Sequence, residues 1–509
     1  MSITFLPLLL LSVALVSCTE SPPKFSPNYI VKGNLYIPFA EIKEPFYAWY
    51  DKGEKKSRID YYGGMVKTYQ LSKNGTNGLS LKVAPMTTET ELNKISCFHA
   101  YGIPDATIEP QSVLPDVSDF KYIGEELVNG IILEKWRLVT SEGEKVSKYS
   151  LWVRYNKASK DAIPVRYEMK GYNSLLGSHY DHYFLDYEIY SPEKPEAGIF
   201  EIEANLTCTE FPGPGDQHIA TFNPMREFIN NEKLHHEAEF TRFKYNHGKV
   251  YADAKEHAAR KTVFTHNLRY IHSKNRAGLS YKLGINHLAD RTDEELKALR
   301  GFRRTSGYNG GNAFPYKNIK KSDYPASLDW TLYGAVTPVK DQSVCGSCWS
   351  FGTTGAVEGA YYMKHKKLAV LSQQALIDCS WGYGNNGCDG GEDFRSYQWI
   401  MKHGLPTQDD YGPYLGQDAY CHIANTTATA TMKGFVNVTP NSEDALKLAL
   451  AKHGPVSVAI DASQKSFSFY VNGVYYDEKC SKYLLSKKKN NKKIVVLSIN
   501  ACVRAGIAI

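Results

Sequence analysis

The sequence predicts an α+β multidomain chain, in which a β-rich region is followed by a helical region and then by a region that mixes helices and strands. The chain has 509 residues, which at about 150 residues per domain is too long for a single core. Apolar residues recur at alternate positions up to about residue 207 and with helical spacing after about residue 223. With 42% hydrophobic and 22% charged residues, the composition is that of a globular protein.

The formal net charge of +6 is confined to the C-terminal tail and does not predict a nucleic-acid partner. Residues 481–509 hold six lysines, one arginine and no acidic residue, so the other residues sum to 53 basic minus 54 acidic, or −1. A polyanion-binding protein would carry its basic excess on a folded face instead. We therefore expect no nucleic acid among the partners.

The first 18 residues are predicted to be a signal peptide. Phe5–Val16 is an apolar run of 12 residues, too short to span a bilayer, and small residues suited to cleavage follow at Val16–Cys18. No later stretch reaches membrane-spanning length. We therefore expect a secreted or lysosomal location and no transmembrane segment. Leu15–Cys18 also matches a bacterial lipoprotein cleavage box, which leaves lipid attachment as an alternative.

Export also bears on the nine cysteines that follow Cys18. In an oxidising compartment most of them should form disulfides, and because nine is odd at least one thiol stays unpaired. Four glycan-acceptor sites agree with secretion, at Asn74, Asn205, Asn425 and Asn437.

Residues 19–222 are predicted to form an antiparallel β domain rich in tyrosine. Along Tyr149–Tyr155, for example, large apolar residues occupy alternate positions, which is the pattern of a strand with one buried face. Cys97 and Cys208 are the cysteines of this region and are candidates for a disulfide. Proline and glycine in Phe211–Gly215 disfavour continued strand pairing, so the domain is expected to end in a hinge there.

After the hinge, the spacing predicts one helix over Met225–Tyr251 and another over Ala252–Asn275. Six residues of the second helix lie within about 100° of one another around the helix axis. A face that only packed in a core would not present Glu, Arg and Asn, so we interpret it as a functional pattern. Its residues are Glu256, Arg260, Phe264, Asn267, Ile271 and Asn275. The Gly- and Asn-rich Thr305–Pro315 is typical of an exposed linker.

Cys348 begins a predicted helix and is the candidate nucleophile. The oriented N–H groups of a helix N-terminus favour a thiolate, and the small residues Gly346 and Ser347 permit a tight turn into that helix. Acyl transfer also needs two hydrogen-bond donors for the oxyanion. The main-chain N–H of Cys348 and the side-chain amide of Gln342 can supply them.

The Cys345-x-x-Cys348 spacing has three alternative interpretations, in which Cys348 is not the nucleophile of an acyl transfer. A thioredoxin-type redox pair would need a βαβ setting that the flanking sequence lacks. A zinc site would need a second cysteine pair at close spacing, whereas Cys379 and Cys388 are too far apart. The remaining alternative is a pair of structural disulfide cysteines.

The residues around Cys348 resemble the active-site segment of papain and the cathepsins. The match covers Gln342–Phe351, which reads QSVCGSCWSF. The helix face that begins at Glu256 and the segment Gly284–Asp290 resemble the inhibitory propeptide of that family. Tyr324–Trp330 resembles the start of its mature enzyme, and Cys388–Gly391 resembles the strand that lines its substrate cleft.

The resemblance implies a helical inhibitory propeptide over residues 223–323 and a two-lobed peptidase domain over 324–480. Cys348 would be the nucleophile and Gln342 the oxyanion donor, while Gly390 and Gly391 would bind an extended substrate backbone. Protein or peptide substrates and the chain's own propeptide would be the partners, with no cofactor and no metal. The implied disulfides are Cys345–Cys388 and Cys379–Cys421.

The chain departs from the family after Cys480. The family places its general base, a histidine, about 130 to 150 residues after the nucleophile, which here means a window from about 478 to 498. The sequence has no histidine after His453. The basic tail over residues 481–509 does not resemble the expected strands, so we expect a complete helical lobe and an incomplete β-barrel lobe.

Two hypotheses account for this departure. In one, a splice, frameshift or gene-model event has replaced the C-terminus of an endopeptidase zymogen. In the other, the chain is an inactive secreted homologue that acts as a binding or protease-inhibitory protein.

Overall fold

The computed structural model describes residues 21–72, 77–88, 91–104, 107–156, 161–210, 223–231, 234–480 and 507–508. The chain divides into two compact units, one comprising Met1–Lys82 with Cys97–Glu232, the other Val83–Ser96 with Lys233–Ile509. The predicted signal peptide, the hinge at residues 211–215, the Asn74 glycan site and most of the 481–509 tail lie outside the described residues.

A large β sheet dominates the N-terminal part of the chain, as the alternating pattern predicts. Within the described residues it has 12 strands in the order β12-β6-β5-β4-β3-β2-β1-β11-β10-β9-β8-β7. The strands are β1 (Asn28–Ile37), β2 (Ile42–Asp51), β3 (Lys56–Tyr61), β4 (Val66–Leu71), β5 (Leu79–Met86), β6 (Lys94–Tyr101), β7 (Lys121–Val128), β8 (Ile131–Glu142), β9 (Lys145–Tyr155), β10 (Ala162–Asn173), β11 (Ser178–Ser191) and β12 (Cys208–Glu210). β1 pairs antiparallel with both β2 and β11, whereas β12 pairs with β6 in parallel.

Alternation along the strands explains why this sheet forms. In β11, Tyr183, Leu185 and Tyr187 are buried and the residues between them are more exposed. β9 departs from the predicted alternation, because all of Tyr149–Val153 is buried and only Tyr155 at the strand end is exposed. Cys97 and Cys208 form a disulfide that joins β6 to β12.

The second unit contains the remaining strands and most of the helices. The helices of the described chain are α1 (Met225–Ile229, in the first unit), α2 (Leu234–Asn246), α3 (Ala254–Arg276), α4 (Asp293–Ala298), α5 (Cys348–His365), α6 (Gln373–Cys379), α7 (Asp393–His403), α8 (Gln408–Tyr411), α9 (Glu443–His453) and α10 (Lys465–Ser468). The short strands are β13 (Tyr281–Leu283), β14 (Asn312–Ala313), β15 (Val436–Asn437), β16 (Ser457–Val458), β17 (Tyr470–Gly473) and β18 (Ile507–Ala508), paired β13–β17, β14–β15 and β16–β18. None of the helices in the described ranges combines the length and apolar character needed to cross a bilayer.

Two predicted elements are wrong in extent. The single helix over Met225–Tyr251 is instead two helices, α1 and α2, because Asn231 adopts a left-handed φ of 58°, which asparagine tolerates better than most residues. The apolar run Gly454–Ile460 predicts a strand from its sequence, but the strand covers only Ser457–Val458, and Gly454, with a φ of 90°, caps α9 instead.

The described residues of the second unit form two hydrophobic clusters. One lies around α5 to α8 and includes Trp349, Leu371, Leu376 and Trp399. The other joins α2 and α3 to the segment Phe467–Tyr475 of the peptidase region. The propeptide region therefore shares a core with the region that it precedes in sequence.

Candidate active site

Helix α5 places Cys348 at its first position. Ser347 is the N-cap residue, and its carbonyl oxygen accepts hydrogen bonds from the main-chain N–H and the hydroxyl of Ser350 at 2.8 and 2.9 Å. Gly346 donates from its N–H to the carbonyl of Cys388 at 2.9 Å. A Cβ at Gly346 would lie 2.5 Å from that oxygen, so only glycine fits this turn.

Disulfides fix the loops around the thiol. Cys345 is bonded to Cys388 and Cys379 to Cys421, and these are the pairs that the family resemblance implies. Cys348 is free. Because Cys345 is already bonded to Cys388, this arrangement contains no Cys345–Cys348 redox pair.

Gln342 is fully buried and directs its side-chain amide toward the propeptide. Its Nε2 donates to the carbonyl oxygen of Leu299 at 2.9 Å and to that of Cys345 at 2.7 Å. Tyr414 supports this loop, since its hydroxyl donates to the Gln342 carbonyl at 2.8 Å and lies 2.8 Å from Ser347 Oγ. Local sequence pattern did not point to Tyr414.

The segment Gly301–Arg303, which the family resemblance assigns to the propeptide, passes over Cys348. Gly391 donates from its N–H to the Gly301 carbonyl at 2.9 Å, and its carbonyl accepts from the Arg303 N–H at 3.1 Å. Gly390 makes a close approach instead, because a Cβ there would lie 2.5 Å from the Gly301 oxygen. Both glycines were expected to bind an extended backbone. Gly391 does so through hydrogen bonds to Gly301 and Arg303, whereas Gly390 contributes the space for a close approach.

This coverage alters the acidity of the nucleophile. Burial raises the pKa of the Cys348 thiol, whereas the main-chain N–H groups of Gly301, Trp349, Phe302 and Cys348 itself lower it by hydrogen bonding to the sulfur. Burial is the larger effect. The propeptide-bound form therefore favours the protonated thiol, which is the poorer nucleophile.

The polar face of α3 holds the propeptide together, which accounts for its non-core composition. Asn267 Nδ2 donates to the Ala289 carbonyl at 2.9 Å, and Asn275 exchanges two hydrogen bonds with the main chain of Leu283. Arg260 forms a bidentate ion pair with Glu295 at 2.6 and 2.9 Å.

The predicted linker Thr305–Pro315 is exposed along most of its length, but it is attached at both ends. Thr305 donates from its N–H at 2.8 Å and from its hydroxyl to the buried carboxylate of Glu392. Asn312–Ala313 pairs in parallel with Val436–Asn437. These long-range contacts explain why the segment is not a free tether.

A cavity of about 350 Å³ lies beside Cys348. Peptidase residues line one side, among them Asp393, Val458 and Ala459, and propeptide residues line the other. No histidine is among its lining residues in the described ranges. His453, the last histidine of the sequence, contacts the Tyr316 hydroxyl at 3.0 Å instead.

Comparison with known proteins agrees with these features. The papain family cysteine protease model matches residues 324–496, beyond the domain end that we expected at 480, and the cathepsin propeptide inhibitor domain (I29) model matches residues 240–296. A cathepsin L-like peptidase of Aedes aegypti is 41% identical over 254 residues, covering 48% of this chain and 75% of the relative. Cathepsin L of Sarcophaga peregrina is 41% identical over 256 residues, covering 48% and 74%. Digestive procathepsin L 3 of Tenebrio molitor is a solved structure with 33% identity, a TM-score of 0.44 and coverage of 49% of this chain and 80% of that one.

Proposed function

Because the chain belongs to the papain family of cysteine proteases, with a cathepsin propeptide inhibitor domain ahead of the peptidase domain, we propose that it is an endopeptidase zymogen in which Cys348 is the nucleophile. The Cys348 sulfur would attack the scissile carbonyl carbon, the C–N bond would break, and the amine half of the substrate would leave with a proton, which gives a covalent acyl-enzyme. Water would then release the acyl group and restore the thiol.

The hydrogen bond between Gln342 Nε2 and the Leu299 carbonyl carries this proposal. A peptide carbonyl already occupies the donor that an oxyanion would use. The N–H of Cys348 would be the second donor, and Gly391 would align the substrate backbone, with Gly390 allowing its close approach.

The same contacts support intramolecular inhibition. The Gly301–Arg303 backbone occupies Gly391 and covers the thiol, so a peptide substrate could not pair with Gly391 at the same time. We place the propeptide at residues 223–323, the processing region at the exposed Lys317–Ser322, and the peptidase domain from residue 324. Targeting by the signal peptide over residues 1–18 would give a secreted or lysosomal location.

A second function is favoured by one observation. The sequence holds no histidine after His453, and none lines the cavity in the described part of the chain. Without an imidazole, the thiolate lacks an ion-pair partner and the leaving amine lacks an acid. The chain would then act as an inactive binding or inhibitory homologue, whose propeptide-like segment enters the clefts of other proteases.

Hydrolysis of a fluorogenic dipeptide amide by the full chain, cleaved in the Lys317–Ser322 segment, tests the enzyme assignment. Turnover that Cys348→Ser abolishes supports the endopeptidase. Absence of turnover, together with inhibition of an added cathepsin-type protease by the uncleaved chain, supports the second function.

A further inference from the structure

Charged side chains of opposite sign line the cavity beside Cys348. Arg300 and Arg304 come from the propeptide, whereas Asp393 and Asp461 come from the peptidase domain. The volume of about 350 Å³ lies within the range of pockets that bind small groups. In the zymogen the cavity therefore contains both cationic and anionic groups.

Phe302 indicates which residue of a bound chain faces this cavity. It forms a parallel bridge with Gly391, and the residues on either side of it, Gly301 and Arg303, exchange hydrogen bonds with Gly391. Phe302 is also among the residues that line the cavity. A substrate that pairs with Gly391 would therefore present the side chain of its pairing residue to the same space.

Departure of the propeptide changes the charge of the cavity wall. Arg300 and Arg304 leave with the propeptide, and the charged side chains that remain on the described wall are Asp393 and Asp461. Val458 and Ala459 give that wall apolar surface, which suits the methylene stem of a lysine or arginine.

We propose that Asp393 makes the mature cleft select lysine or arginine at the substrate residue that pairs with Gly391. This inference rests on the proposed endopeptidase function. Asp393 is better placed than Asp461 because it follows Gly391 by two residues, next to the pairing position. It is also the first residue of α7, where its Oδ1 accepts the N–H of Phe394 at 2.8 Å, which fixes the orientation of the carboxyl group.

The surroundings of Asp393 suit recognition of a cation. Burial raises the pKa of the Asp393 carboxyl, as does the neighbouring Glu392, whereas the Phe394 N–H and the Ser457 hydroxyl lower it. A bound ammonium or guanidinium would favour the ionised carboxylate in the same partly dehydrated place. Charge pairing is stronger there than on an open surface.

Peptide electrophiles test the proposal without requiring turnover. Tripeptide chloromethyl ketones carry Arg, Lys, Leu or Glu in turn at each of their three positions. The rate at which they label Cys348 is measured by mass spectrometry on the full chain, cleaved in the Lys317–Ser322 segment. The same rates are measured on Asp393→Asn, on Asp461→Asn and on Asp389→Asn, the last an exposed residue of the same loop outside the cavity wall.

At one position we expect Arg and Lys to label roughly tenfold faster than Leu, and Glu slowest. Asp393→Asn should abolish this preference by lowering the Arg and Lys rates to that of Leu, whereas Asp389→Asn should retain it. Preference for Leu at every position, or loss of the basic preference only in Asp461→Asn, would overturn the proposal while leaving the endopeptidase function intact. If no peptide labels Cys348 faster than iodoacetamide does, no peptide-binding cleft lies beside Cys348, and this result would overturn both the selectivity proposal and the endopeptidase function.

Discussion

Single main-chain groups of the predicted propeptide act on Cys348, the proposed nucleophile, and on Gln342. The N–H groups of Gly301 and Phe302 lower the pKa of the Cys348 thiol against the larger effect of burial, while the Leu299 carbonyl accepts a hydrogen bond from the side-chain amide of Gln342. In the proposed zymogen, inhibition would therefore depend on how closely this backbone approaches Cys348. Gly301 is the residue at which that approach is tightest, because a Cβ there would lie 1.6 Å from the Gly346 oxygen.

Gly301→Ala should release the thiol from the propeptide. Since the Cβ cannot be accommodated without moving one backbone away from the other, we expect iodoacetamide to alkylate Cys348 at least about tenfold faster in the variant full chain. Gly382→Ala is the matched control, because a Cβ at Gly382 meets nothing within 4 Å. An unchanged alkylation rate in Gly301→Ala would contradict this account of inhibition.

Peptide mapping after iodoacetamide treatment without reductant should find label on Cys348 and none on Cys345. Cys345 is bonded to Cys388, and only a free thiolate reacts. Because burial raises the pKa of Cys348, its labelling rate in the uncleaved chain should keep rising with pH beyond about 8.5, the ordinary thiol value. Label on Cys345 would refute the disulfide assignment.

At the level of elements, α3 is the scaffold of the propeptide. Its inward face combines the buried Phe264 and Ile271 with polar side chains that hold distant main-chain groups. The periodicity predicted the start of this helix to within two residues, because the helical pattern is formed by residues only three or four positions apart in the sequence. Its partners Leu283 and Ala289 were not predictable from spacing, because loop contacts depend on the fold.

Glu295→Gln should weaken the packing of α4 on α3, because it removes the ion pair between Arg260 and Glu295. Burial raises the pKa of Glu295, but Arg260, the Thr292 N–H and Arg291 outweigh it and lower that pKa to about 2. Since the unfolded value is near 4.3, the ionised group stabilises the fold above about pH 4, and this stabilisation is lost as pH falls toward 2.

Hydrogen exchange of the α3 and α4 amides measures this effect. At pH 6 we expect Glu295→Gln to lower the free energy of local opening by about 1 kcal/mol, a value reduced for its partial exposure. The difference from the unmodified chain should shrink as pH falls from about 4 to 2. Glu294→Gln, at the exposed neighbouring position, should leave protection unchanged, and an equal loss in both variants would contradict the prediction.

Across the whole molecule, the sequence predicted the parts of the site that lie close together in the chain. Gln342, Cys345 and Cys348 lie close together before and at one helix start, so local sequence could indicate Cys348 as a nucleophile and Gln342 as an oxyanion donor, roles that stay predictions. Tyr414 supports the same turn from 72 residues beyond Gln342, and Asp393 enters the cavity from another helix. Neither has a local signature, because the fold and not the spacing brings them to the site.

The most demanding test at this scale concerns the peptidase activity of the 509-residue chain. General acid–base assistance accounts for about a hundred- to ten-thousand-fold in rate, and no histidine follows His453 to provide it. We therefore expect the chain, after cleavage of its propeptide, to hydrolyse a fluorogenic dipeptide amide at least about a hundredfold more slowly than a version with a family-type C-terminus. That C-terminus would carry the histidine and asparagine of the family.

Residual turnover should depend on Gln342, since positioning and oxyanion donors act without the base. Gln342→Ala should therefore lower the rate of both versions, which separates a weak but authentic site from a contaminating protease. Equal rates for the two C-termini would mean that another residue serves as the base and that the C-terminal departure has no catalytic consequence.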